Sequence, residues 1–434
     1  MPVPTSPPIL ATPRDALPGD GPEPGTPAPP EGAPAPDSRR APGQRRAPAP
    51  GSGAHRAAGG RRPAGRARSV LVVGAVHAGS ALLHLVVLAL MVPPDGAGVR
   101  DRLLAWDARH FVDIARDGYP AGFTHGPDGE LTGNELAFFP LYPLLVRALA
   151  ALTGLDAGTA AVATAHLALA AALFAVHALL ARLYGERVAL TGIVLLAGAQ
   201  PMALTFLMGY SESLFLALAA GTLLALHRRA WLTAGWLALL CGLTRPAALA
   251  VALAVAVAAA QHLWRSRRLT ARPVAAVVLA CAGTPAYLAW VGARLGRVDA
   301  WFRIQQAGWG TRWDHGAAFA RFLGETLRRG EGWVPVSTAV LVLAVLGATA
   351  AAWGRGAWPP LLVYGTAMVV LAVGQSNYYH CKLRLLAPAV VFLVPAARAL
   401  AGARPRTAAG VLAGAVLFGC WYGAYMVTAW PYAI

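Results

Sequence analysis

The chain reads as an all-α polytopic membrane protein. Only 13% of its 434 residues are charged and 56% are hydrophobic, whereas soluble domains carry roughly 25% charged residues. Its mean hydropathy is +0.51, and apolar runs of about 20 residues recur, the length that crosses a bilayer as a helix. Backbone in hydrocarbon must satisfy its own hydrogen bonds, so the choice is helices or a closed barrel. The runs are unbroken Ala/Leu/Val, without the alternation of barrel strands. The net charge of +17 does not indicate nucleic acid. Most basic residues sit in short clusters between apolar runs, the arrangement that fixes membrane topology.

Residues 1–69 form a separate region, read as a disordered Pro/Arg-rich cytoplasmic tail. They hold 17 of the 34 prolines, ten Arg and five acids, and too little apolar surface to offset the entropy of ordering. Arg61, Arg62, Arg66 and Arg68 abut the first apolar run, which places this end inside. There is no cleavable signal peptide at residue 1, and the run at 70–92 is read as a signal anchor. Residues 70–434 are then the transmembrane domain. A first extracytoplasmic loop at 94–158 includes an amphipathic helix at 141–152. Further spans are expected at 159–183, 188–207, 213–227, 273–293, 334–353, 357–374, 385–400 and 407–428. The stretch 231–264 is interrupted by Thr244, Arg245 and Pro246 and flanked by HRR and RSRRLTAR. Two basic flanks on one side require a hairpin with Arg245 at its outer turn; a single kinked span would put one flank outside. The hairpin brings the expected total to about eleven spans.

Carboxylates give an independent indication. Fifteen acids lie beyond the tail, and on this map only Glu186 is cytoplasmic. Positive-inside sorting does not demand that bias, because acids contribute little to topology, so the chemistry is expected on the outer face. The densest stretch is 105–147, beginning WDARHFVDIARDGYP. Asp113 and Asp117, four apart, share a helix face that Asp107 does not. A carboxylate beside Trp106 at a membrane surface lies in a low dielectric, which raises its basicity and suits a general base toward a hydroxyl. Glu212 opens a span, and a carboxylate there is costly unless functional or paired, with Arg245 as a partner. Cys241, Cys281, Cys381 and Cys420 have neither CxxC nor zinc-ligand spacing and read as small apolar residues. His77 and His84, one heptad apart, read as bundle packing.

WDARHF with IARDGY, then NELAFFPLYPLLVR, resembles the first luminal loop of the PIG-V family, the mannosyltransferases that add the second mannose of GPI anchors, and their bacterial relatives. GYSESLF, FRIQQAGWG and SNYYHCKLRLLAPAVVFLVP resemble later stretches of that family, in the same order. LTRPAAL stands in place of its arginine motif, with Pro246 where eukaryotic members carry Asn-Gly. The resemblance covers about residues 70–400.

It implies a GT-C-type glycosyltransferase fold with a catalytic acid in the first outer loop, transferring mannose from polyprenyl-phosphate mannose to an envelope glycolipid or glycan. Inversion at the anomeric carbon would follow, with an α-1,6 linkage as family precedent. Asp107 matches the loop acid and is the first choice as general base, Asp113 the second. The donor phosphate needs a cation, for which Arg245, Lys382, Arg384 and His110 are candidates; His380 is a weaker one. Lys382 is the sole lysine. Trp106, Glu212, Gln305, Gln306 and Trp309 are candidates for contacting sugar or acceptor. The mannosyl branch is metal-independent and no DxD is present, so neither metal nor cofactor is expected. The localisation implied is a multi-pass plasma-membrane protein with its site outside. Another polyprenyl-linked sugar would fit the same motifs. A lipid or polysaccharide transporter is the competing class, but it predicts internal repeats and ionisable groups at the midplane.

Overall fold

The computed structural model describes residues 63–94 and 96–434, so the expectation for residues 1–62 lies outside it. Among the described residues the chain forms seventeen α-helices in order: α1 (Pro63–Met91), α2 (Val99–Leu103), α3 (Asp107–Asp117), α4 (Leu141–Thr153), α5 (Ala157–Tyr184), α6 (Glu186–Val194), α7 (Glu212–His227), α8 (Trp231–Gly242), α9 (Leu249–Ser266), α10 (Ala271–Leu295), α11 (Ala300–Trp309), α12 (Ala317–Arg329), α13 (Trp333–Gly354), α14 (Pro359–Val373), α15 (Lys382–Leu386), α16 (Leu393–Gly402) and α17 (Pro405–Thr428). A short antiparallel pair, Thr124–His125 with Leu131–Thr132, interrupts the first loop. The boundary expected at 69 moves, because α1 already begins at Pro63, where proline is tolerated in a first helical turn.

Among the described residues six helices are long and apolar enough to cross a membrane, seven if the bent pair Tyr379–Leu386 and Val390–Gly402 is one broken span. The chain is therefore a polytopic α-helical membrane protein, but by this measure it does not reach eleven spans. The expected span 188–207 is the main correction. It is a nine-residue helix, α6, running into a π-helical turn at Leu195–Ala199 and stopping before Pro201, where the missing N–H ends the ladder. The expected span 385–400 is bent by 79° around Pro388. α7, α8 and α14 have 16, 12 and 15 residues. The long helices are apolar on the outside too: only 17% of the span window in Ala67–Met91 is buried. Such an all-round apolar surface suits lipid rather than water.

The interruption at 243–245 is a hairpin. Trp231, at the start of α8, packs on His262 near the end of α9, ring centres 5.1 Å apart. α8 also lies against α10 through small residues. A Cβ on Gly242 would fall 2.9 Å from Gly283 Cα, and Thr284 Oγ1 donates to Gly242 O at 3.2 Å. Such close backbone approach is the usual means of joining helices where lipid removes the hydrophobic drive.

The first loop is folded and tied down. Arg147 on α4 donates from Nε to Ala115 O at 2.7 Å and from Nη2 to Ile114 O at 2.9 Å, which caps the carbonyl end of α3 with a cation. Phe111 packs edge-on against Phe138 and Tyr142, and the Tyr142 hydroxyl donates to Ala161 O. α4 starts where the amphipathic helix is expected and leaves Leu144 and Leu152 exposed. Phe138 O accepts from both Tyr119 and Tyr287, and Leu141 N–H donates to Leu243 O. These bonds fasten the 138–143 stretch to α10 and to the turn that carries Arg245.

Candidate functional site

A cavity of about 630 Å³ opens at one end of the helices. Its polar corner is built from four side chains distant in sequence. Asp107 is the first residue of α3, Glu212 the first of α7, Arg245 lies in the α8–α9 turn and Arg384 in α15. Arg384 Nη1 donates to Asp107 Oδ2 at 2.5 Å. Arg245 Nη1 lies 2.5 Å from Glu212 Oε1, and Arg384 Nε lies 3.6 Å from the same oxygen. The charges therefore alternate, Asp107–Arg384–Glu212–Arg245, with Arg384 shared by both acids.

Burial makes this quartet costly to assemble and costly to break. The side chains of Glu212 and Arg384 are 2% and 9% exposed, and a buried charge is tolerated only when paired. The pairing is not saturated. Glu212 Oε1 and Arg384 Nε are buried without a well-aligned hydrogen bond among the described residues, despite the short ion-pair distances. Both atoms are enclosed, and the ion-pair contacts are what compensate their burial.

The backbone at Asp107 is strained. Trp106 adopts φ 53°, ψ −119°, a conformation costly for a residue with a Cβ. It is held by neighbours on both sides. Arg109 N–H donates to Trp106 O, and the Tyr210 hydroxyl donates to Ala105 O at 3.3 Å. Tyr210 is fully buried, and its ring lies 5.1 Å from the Arg384 guanidinium. The GYSES motif thus supplies two parts of the corner. Glu212 was legible from its cost, but Tyr210 was not singled out.

Most of the remaining cavity wall is aromatic and apolar, from Phe138, Phe139, Trp301, Trp309 and Trp313 among others. Gln305 lines it and donates to Ala137 O at 3.1 Å, beside Trp301 Nε1, which donates to the same carbonyl. α11 is pressed onto the first loop: a Cβ on Gly133 would fall 2.6 Å from Gly308 Cα. The cavity continues between α9 and α10 past Ala252, Ala280 and Cys281.

Several expected residues lie elsewhere. Asp113 is 44% exposed and pairs with Arg116 at 2.9 Å, away from the cavity, because six residues of helix turn it off the Asp107 face. Lys382 is buried and committed, donating from Nζ to Ala372 O, Gln375 O and Asn377 Oδ1 at 2.7–2.9 Å. His110 does not line the cavity; it stacks on Phe138 and its Nδ1 lies 3.2 Å from Glu135 Oε1. That contact holds the Glu135 carboxyl below its ordinary value of 4.5, against a partial desolvation that works the other way. Trp106 shapes the turn rather than the cavity wall, Gln306 is exposed outside it, and His380 is stacked against Tyr378. Arg312, which the sequence did not single out, does line it, as do Gln375 and Asn377. Among the described residues no three His, Cys, Asp or Glu side chains come together as a metal site.

No protein-family model matches the sequence. No curated protein matches it as a relative. Among solved structures, ArnT from Cupriavidus metallidurans bound to undecaprenyl phosphate is similar over 81% of this chain and 63% of its own, at 16% identity and a TM-score of 0.49. The oligosaccharyltransferase of Archaeoglobus fulgidus in its apo form is similar over 82% of this chain and 56% of its own, at 12% identity and a TM-score of 0.48. The chain thus spans less than two thirds of the length of either.

Proposed function

We propose that this chain is a GT-C-type membrane glycosyltransferase. It transfers mannose from polyprenyl-phosphate mannose to a glycolipid or glycan acceptor on the extracytoplasmic face of the plasma membrane. The observation that carries the reading is Asp107: an acid at the head of a strained turn, anchored by a buried arginine, beside an aromatic-walled cavity large enough for a sugar. The resemblance of its loop to the PIG-V family supports the donor and an inverting, α-1,6 outcome.

In this reading Asp107 takes the proton. Oδ2 is held by Arg384, which orients the carboxylate and leaves Oδ1 to accept from the acceptor hydroxyl. The acceptor oxygen bonds to the anomeric carbon as the bond from that carbon to the phosphate oxygen breaks. The phosphate leaves with the electron pair as polyprenyl phosphate, and the displaced proton resides on Asp107. Glu212 holds Arg245 and lines the cavity on the sugar's side, and Trp309 with Gln305 forms the platform against the ring. Arg245 and Arg384 hold the two carboxylates in place, and the departing phosphate calls for a further fixed cation on its own side.

Removing a general base costs about 10²- to 10⁴-fold in rate. Asp107→Asn, in membranes supplied with undecaprenyl-phosphate mannose, is expected to lose transfer on that scale while the protein still accumulates. Wild-type rates in that variant would sink the assignment. Mass analysis of envelope glycolipids and glycoproteins from a deletion strain identifies the acceptor.

A further inference from the structure

Each cation considered for the donor phosphate is already engaged. Arg384 and Arg245 face Asp107 and Glu212, Lys382 is spent on three oxygens, and His110 is on Glu135. The charged residues lining the cavity are two acids, Asp107 and Glu212, and three arginines, Arg245, Arg384 and Arg312. Two of those arginines are neutralised within the quartet. The remaining charge is one positive unit, carried by Arg312, which is exposed and has no carboxylate partner among the described residues.

We propose that Arg312 is the phosphate-binding residue of the cavity, and that it takes the single negative charge of a lipid-linked phosphodiester. This rests on the donor reading above in its substrate class. A phosphodiester bears one charge, which matches the one unpaired guanidinium; a guanidinium also offers a fork to two phosphate oxygens. Taking the phosphate on Arg312 leaves the Asp107–Arg384 pair intact, so the base keeps its orientation while the donor is bound.

The backbone under Arg312 is fixed for this purpose. Its N–H donates to Ser376 Oγ at 3.2 Å, and Ser376 N–H donates to its carbonyl at 2.9 Å. Ser376 Oγ also donates to Gly310 O at 2.8 Å, and Trp313 bridges Gln375. The partner segment is anchored from below, since Lys382 Nζ holds Gln375 O and Asn377 Oδ1. The only lysine in the chain is therefore a positioning residue for the strap that carries Arg312.

The test measures binding to the full chain in nanodiscs of uncharged phosphatidylcholine. Three probes are compared: undecaprenyl-phosphate mannose, undecaprenyl phosphate and the uncharged alcohol undecaprenol. Arg312→Gln is expected to weaken both phosphate lipids about tenfold or more, the scale of a lost charge-assisted hydrogen bond. Undecaprenol binding should not change. Arg312→Lys should recover most of the loss, and wild-type affinity should fall with salt more steeply than that of Arg312→Gln. Equal phosphate-lipid affinity in wild type and Arg312→Gln overturns the proposal, as does equal weakening of undecaprenol. Arg312-dependent binding of undecaprenyl phosphate without binding of the mannosylated lipid overturns the phosphodiester assignment and, with it, the mannose donor. Binding of neither phosphate lipid overturns both.

Discussion

The two ends of α3 carry the same side chain in opposite settings. At its start, Asp107 is 19% exposed and faces Arg384, which is 9% exposed. At its end, Asp113 and Asp117 share the solvent-exposed Arg116. Both ends pair an aspartate with an arginine at short range, yet only the first has removed its charges from water. An exposed pair is screened and readily replaced by hydration. A buried one stores a large penalty that appears when either partner is lost. The contrast says where the fold has committed free energy to hold a carboxylate in place.

Arg384 gives the largest expected effect. Arg384→Gln strips the counter-charge from Asp107 and leaves Glu212 with Arg245 alone, and breaking a buried pair costs about 3–5 kcal/mol. Thermal unfolding in detergent should drop accordingly and transfer should cease. Adding Asp107→Asn to that variant should recover part of the stability and none of the activity. If the double variant is as unstable as the single one, the two residues do not act as a pair.

Next comes the seam between α11 and the first loop. A Cβ on Gly133 has no room beside Gly308 and the Trp309 ring. Gly133→Val is expected to cost about 1–3 kcal/mol by overpacking, and it should push Trp309 off the platform. The change should be visible as a shifted tryptophan emission and a raised donor KM. An unchanged emission and KM would detach that seam from the site.

A smaller effect concerns pH at the same seam. Hydrogen bonding to His110 lowers the Glu135 carboxyl relative to its ordinary 4.5. A lowered folded value contributes stability above the unfolded value and loses it as pH falls through the folded one. The loop at 133–139 should therefore loosen below about pH 4.5, read as faster amide exchange. Glu135→Gln should remove that pH dependence.

These effects also measure how much the sequence disclosed. Hydropathy alone identified the class, the tie between the basic flanks identified the Arg245 hairpin, and the cost of an acid in a span marked Glu212. Each of those is a local energetic anomaly. The partner of Asp107 was not of that kind, because nothing near WDAR encodes Arg384, 277 residues away. Lys382 misled for the complementary reason: a solitary lysine is an anomaly of composition, and its three acceptors are visible only in three dimensions. Arg312 was passed over because one arginine among many in an outer loop carries no signal until the others are seen to be paired. The π-turn and the 79° bend escaped since apolar runs of span length look alike whether straight or broken.

The smallest effect is expected at the exposed end of α3. Arg116→Ala frees Asp113 and Asp117 into water, which hydrates both as well as the guanidinium did. Arg147, not Arg116, holds the last carbonyls of the helix, so the helix end keeps its cap. Melting temperature and transfer rate should both match wild type, at low salt and high. Asp113→Asn should be equally silent. A loss of transfer in Asp113→Asn with unchanged melting would move the base along α3 and invert the contrast between its two ends.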